Sequence, residues 1–191
     1  IHSWKFEGSD KYIELYKPID YLFEDNLIGN YDAIYTNTPS PKKWPPRFTY
    51  AALYSMNEAS KLINGDYNWV IKSRSDFALN GRIPFDQWDN SNIYIPNCRM
   101  VPTRDFGNDQ FAFSSKENMM KYMTTFEHID DYYSSGVQFI GEDLMSANLH
   151  EHGLVGDKLF YCGMNNPFPA GPHNMGSHSL IRDEYDKRNT Q

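Results

Sequence analysis

The stretch Asp66-Tyr-Asn-Trp-Val-Ile-Lys-Ser-Arg-Ser-Asp-Phe77 carries the residues best suited to chemistry. Trp69, Val70 and Ile71 form an aromatic and β-branched run, closed by small polar residues, which predicts a buried strand. The run leads into a turn carrying Arg74 and Asp76. Open α/β sheets place ligand chemistry at the carboxyl ends of their strands. There a carboxylate can hold a divalent cation while a neighbouring guanidinium takes a phosphate. Those are the needs of a nucleotide diphosphate. The same residues would also make an ordinary exposed turn with a local ion pair.

Two further acidic spots fall at element ends, where function concentrates. Asp109 precedes the strand Phe111-Ala-Phe113, and Glu142-Asp143 opens a helix. At a helix start both carboxylates complement the dipole, which is reason enough for their presence. Three acidic turns in one domain argue for a shared site. His173 and His178 lie in the tail, and imidazole beside carboxylate suits Mn²⁺, so either could join a metal held by Asp76.

The elements that position these residues read as alternating strands and helices. Ile1–Phe6 is a strand end, Lys11–Tyr16 one helical turn, and Tyr21–Glu24 a short apolar segment. Four prolines between residues 36 and 47 forbid a regular element. Ala52, Leu53, Met56, Ala59, Leu62 and Ile63 recur at helical spacing from Thr49 to Asn64. Short strands are expected at Ile93–Ile95, Phe111–Phe113 and Lys158–Tyr161. Helices are expected after Ser114 or Ser115, running to Phe126, and from Gly141 to Gly153. From Gly163 onward the composition predicts an irregular tail. The alternation predicts an α/β layered domain with a mostly parallel central sheet.

Composition narrows the classes. The chain has 191 residues and reads as one domain, 1–191, large enough for a real core. Its net charge of -7 and scattered basic residues leave no phosphate-backbone footprint, which argues against nucleic acid. No apolar run is long enough to span a membrane. The two cysteines, Cys98 and Cys162, are isolated, which points to a reducing, cytoplasmic setting. The dinucleotide, P-loop, HExxH and GxSxG motifs are absent.

Five segments occur in a recognisable order: Ile1-His-Ser-Trp4, Glu14-Leu-Tyr-Lys-Pro18, Tyr67-Asn-Trp-Val-Ile-Lys-Ser-Arg-Ser-Asp76, Gly107-Asn-Asp-Gln-Phe-Ala-Phe113 and Gly141-Glu-Asp-Leu144. Their order and spacing resemble a group of small glycosyltransferases that includes WavE-type lipopolysaccharide synthesis proteins and enzymes of large chlorella viruses. The resemblance implies a GT-A-like (Rossmann-like) fold, shortened at its start, with helices flanking the sheet. It also implies a nucleotide-sugar donor, a UDP-sugar by preference, a glycan or glycoprotein acceptor, and Mn²⁺ or Mg²⁺. The family's D-x-D motif is here Ser-Arg-Ser-Asp, so Asp76 alone would hold the metal. Arg74 would anchor the donor and Asp109 would line the sugar pocket. Glu142-Asp143 would supply the general base of an inverting reaction, with Asp143 favoured as the second acid of the pair. Trp44 and Arg47 would cover donor or acceptor. A metal-dependent phosphohydrolase and a non-catalytic nucleotide-sugar-binding module are the alternative readings of the same residues.

Overall fold

The structure is a computed structural model that describes residues 1–5, 8–27, 29–39, 45–74, 77–80, 83, 85–96, 109–156, 159–162 and 177–180. The strands are β1 (His2–Trp4), β2 (Leu22–Glu24), β3 (Val70–Ser73), β4 (Phe77–Asn80), β5 (Ile93–Pro96), β6 (Phe111–Ser114), β7 (Leu159–Cys162) and β8 (Ser177–Leu180). The helices are α1 (Ser9–Tyr16), α2 (Tyr31–Ile34), α3 (Pro46–Lys61), α4 (Lys116–Met123), α5 (Ile129–Ser134) and α6 (Gly141–Glu151). Two 3₁₀ turns, Phe85–Gln87 and Thr124–His128, complete the order.

The main sheet has four strands in the order β3-β6-β5-β7. Strand β6 is antiparallel to both its neighbours, β3 and β5, and only β7 joins β5 in parallel. This overturns the expected GT-A-like domain with a mostly parallel central sheet. Among the described strands, β3 lies at the sheet's edge. The other pairings are a parallel two-strand ribbon, β1-β2, and an antiparallel pair, β4-β8. Strand β8 falls within the segment expected to be irregular.

Alternation of strands with helices suggested parallel pairing, and two-sided burial does not distinguish the two cases. Strands covered on both faces lose their polar alternation, and parallel sheets are the usual case. Here Ile93, Ile95 and Ala112 point into one core with Leu53, Met56, Met119, Tyr122, Leu144, Met145 and Leu149. Those partners come from α3, α4 and α6. Tyr94, Phe111 and Phe113 point the other way, into a separate aromatic cluster with Ile83 and Trp88. In that cluster Tyr94 and Phe113 stack at 4.9 Å, and Trp88 stacks on each of them at 4.8 and 5.3 Å. The second cover is therefore a set of rings, with no helix of its own among the described residues.

The helices follow local rules. Helix α3 starts at Pro46, three residues before the expected start at Thr49, because proline suits the first helical position, where its missing N–H costs nothing. Ser115 caps α4, its hydroxyl accepting from the Asn118 N–H at 3.3 Å. Helix α6 stops where Gly153 takes φ 64°, a left-handed conformation natural to glycine.

The β1-β2 ribbon is pinned to α3 by one enclosed histidine. His2 Nδ1 lies 2.6 Å from the Ser55 hydroxyl and Nε2 lies 2.8 Å from Glu24 Oε2. A neutral ring meets both needs if Nε2–H donates to Glu24 and Ser55 donates to Nδ1. Trp4 and Tyr54 stack alongside at 5.8 Å.

Strand β3 separates burial from exposure within two residues. Val70 is 8% exposed and packs in the helix-side core, whereas Ile71 is 48% exposed. Val70→Asp should cost several kcal/mol, a large share of the roughly 5–15 kcal/mol margin of a typical domain, because it buries an unpaired charge. Ile71→Asp should cost less than about 1 kcal/mol. Thermal melts of the two variants check the contrast, and equal losses would contradict it.

Candidate active site

The β3-β6 ladder continues one step beyond its strands. The Arg74 N–H donates to the Gln110 carbonyl at 3.0 Å, so the residue leaving β3 faces the residues entering β6. Across that step Arg74 Nη1 meets Asp109 Oδ2 at 3.3 Å. Their side chains are 33% and 31% exposed. A pair this open and this long contributes little to stability. Its value lies in placing one guanidinium and one carboxylate at a strand end.

Helix α6 brings a second group of charges. Ile140 precedes it and gives no side-chain cap, Gly141 is its first residue, and Glu142 and Asp143 occupy the first turn. The approach is rigid. Phe139 is fully buried, stacks on Tyr35 at 3.7 Å, and its N–H donates to the Asn37 carbonyl at 2.7 Å. The Tyr35 hydroxyl in turn donates to Asp130 Oδ1 at 2.6 Å. Leu144 and Met145, the next two residues of α6, are fully buried. The Ser146 hydroxyl donates back to the Glu142 carbonyl at 2.7 Å. A small shift of this turn would therefore disturb the core.

Glu142 is the perturbed acid. Burial pushes its carboxyl above the ordinary glutamate range, and the negative charges of Asp109 and Asp143 push it the same way. Its own backbone N–H opposes the shift by donating to the carboxylate. Desolvation wins because the charged form gives up water that one N–H does not replace. The charge of Asp109 therefore acts on Glu142 while its oxygen holds Arg74. The end of β3, the entry to β6 and the start of α6 thus form one electrostatic unit.

Arg74 and Asp109 are paired, and the charges of Asp109 and Asp143 bear on Glu142. Asp143 is half-buried, and its charge acts on Glu142. Asp76, Trp44 and His173 lie outside the described residues. His178 has its backbone in β8, opposite Leu79 of β4. Arg47 is engaged locally: its backbone and guanidinium both bond Asp32 of α2, and its guanidinium lies over the Phe48 ring. Sequence reasoning assigned no role to Gln110, whose carbonyl seats Arg74, or to Phe139, which anchors α6. Gln110 stood inside the Gly107-Asn-Asp-Gln segment and had a signal; Phe139 had none.

Among the described residues, no group of three or more His, Cys, Asp or Glu could hold a metal ion. Asp109 is already engaged by Arg74. The described side chains therefore do not fit a cation by themselves, and Asp76, the residue expected to hold one, lies outside them. Nor is any helix among the described residues long and apolar enough to cross a membrane. No protein-family model, curated protein or solved structure matches the chain.

The raised Glu142 carboxyl has a consequence for stability. A carboxyl held above its ordinary value binds its proton more tightly in the folded chain than in the unfolded one. Its contribution is complete below the unfolded value of about 4.3 and is lost as pH rises through the folded value. Glu142→Gln removes the charged form. The variant should therefore melt higher than the parent at neutral pH, with the difference disappearing near pH 4. Melting curves at both pH values test this, and a pH-independent difference would contradict it.

Proposed function

We propose that the chain is a glycosyltransferase that moves a sugar from a nucleotide-diphosphate donor to a hydroxyl of a glycan or glycoprotein acceptor, with inversion. The observation that carries the reading is the Glu142 carboxyl, kept basic by burial and by Asp109, beside the Arg74–Asp109 pair. A general base works best when its affinity for a proton lies near the working pH, and burial is the usual way to bring a carboxylate there. A guanidinium at a strand end is the natural partner for a diphosphate. The order of the five segments, which resembles that of small glycosyltransferases, is in keeping with this assignment, and the two isolated cysteines suit a cytoplasmic setting.

In this mechanism Arg74 binds the donor diphosphate and Asp109 hydrogen-bonds hydroxyls of the transferred sugar. Glu142 takes the proton from the acceptor hydroxyl as its oxygen attacks the anomeric carbon. The bond from that carbon to the diphosphate breaks on the opposite face, and the nucleoside diphosphate leaves with the bonding electrons. Arg74 stabilises the charge that develops there. Burial favours Glu142 over its neighbour Asp143 as the base, and Asp143 keeps the negative field that holds Glu142 basic. Mn²⁺ or Mg²⁺ at Asp76 belongs to the proposal as a means of neutralising diphosphate charge.

The test is incubation with a panel of nucleotide sugars and Mn²⁺, reading donor hydrolysis and transfer. Glu142→Gln should keep donor affinity and lose ~10²–10⁴ in turnover. Asp143→Asn should lose less, and Arg74→Ala should weaken donor binding. If Asp143→Asn is the more damaging variant, the base is Asp143. Calorimetry of UDP with and without EDTA reads the metal, and Asp76→Ala should remove any difference. Binding without turnover of any donor would favour a non-catalytic module.

A further inference from the structure

Strand β3 inverts the polarity usual for a strand. Ile71 is 48% exposed, whereas Lys72 shares the face of Val70, which packs in the helix-side core. Lys72 lies directly opposite Ala112, which is fully buried on that same face. A lysine on a strand's core face breaks a local rule, and such breaks concentrate at functional sites. Alternation carries this face on to Arg74, because the ladder continues there through the Arg74 N–H and the Gln110 carbonyl. Lys72 and Arg74 therefore stand in line on the side that α3, α4 and α6 cover, at the end of the strand where Arg74 meets Asp109. Resting on the glycosyltransferase reading, we propose that Lys72 is the second cation of the donor site: its ammonium binds one phosphate of the nucleoside diphosphate, and the Arg74 guanidinium binds the other.

Spacing and chemistry suit that division. Same-face neighbours along a strand are about 6.6 Å apart, and both side chains are long, so their charges can converge on one small anion. The guanidinium offers a fixed fork and the ammonium a compact point charge, which match two phosphates presented side by side. A guanidinium already shared with Asp109 leaves part of a diphosphate's charge unmet. Lys72 is half-buried, where its attraction for an anion is screened less than on the open surface. It has a contact of its own in the resting chain, which, like that of Arg74, can be traded for phosphate.

The consequence is selectivity. Two cations in line favour a diphosphate over a monophosphate, so the donors would be sugars activated as nucleoside diphosphates. An inward-pointing lysine also blunts a sheet edge against pairing with another strand. That role asks nothing of a nucleotide, so a ligand titration separates the two.

The test compares UDP with UMP in calorimetric titrations of the intact chain. The parent should bind UDP more tightly than UMP. Lys72→Met keeps most of the stem and removes the charge. It should lose roughly 10–100-fold in UDP affinity and much less in UMP affinity. Lys72→Arg should restore most of the UDP affinity. Melting curves without ligand check that Lys72→Met is folded, and Lys72→Gln serves as a second neutral variant. UDP affinity unchanged in a folded neutral variant, or an equal loss for UDP and UMP, overturns the role of Lys72 while leaving the glycosyltransferase reading in place. Failure of the parent to bind UDP removes that reading, and this inference with it.

Discussion

Strand β6 is paired on both edges and buried on both faces. Its residues Phe111, Ala112, Phe113 and Ser114 are at most 1% exposed. Ala112 faces the core built by α3, α4 and α6, while Phe111 and Phe113 face the aromatic cluster. Strands β3 and β5 both take their register from it. Such a strand cannot slip by one residue, because a slip would exchange the small face for the aromatic one. The position of Asp109, two residues before β6, and that of Arg74, across the ladder, follow from this fixed register.

The acid at α6 is set by the opposite strategy. Asp109 and Arg74 sit partly in water, where their mutual attraction is weak and reversible. Glu142 sits on a helix whose next turn is sealed into the core, where its charge is costly. One half of the unit can rearrange at little expense and the other cannot. An arrangement that served stability alone would have placed an uncharged residue at position 142.

Much of the local structure was legible in the sequence. The apolar face of α3, the Ser115 cap and the Gly153 stop all follow short-range rules that the structure obeys. Arg74, Asp109 and Glu142-Asp143 were each legible as residues at element ends. Strand direction was not. The apolar runs at β5 and β6 looked alike whether helices or rings covered the second face, and Trp69, Phe85 and Trp88 gave no sign that they would gather there. The short helices α2 and α5 lack a periodic stretch long enough to register. Strand β8 hid in glycine-, proline- and histidine-rich surroundings, because backbone pairing with β4 requires little of composition. The pairing of Arg47 with Asp32, fifteen positions earlier in the chain, was not legible either.

The chain's opening corner behaves differently from the sheet. Helix α1 contains no buried residue, Leu15 and Ile19 are 73% and 98% exposed, and the β1-β2 ribbon is three residues long on each side. His2, bonded to Ser55 and Glu24, and Glu24, which also accepts from the Tyr54 hydroxyl, tie this corner to α3. Such a region opens as a unit at a free energy far below that of global unfolding. In hydrogen exchange its amides would therefore form a separate, fast class, releasing their protons through a local detachment while the four-strand sheet remains intact.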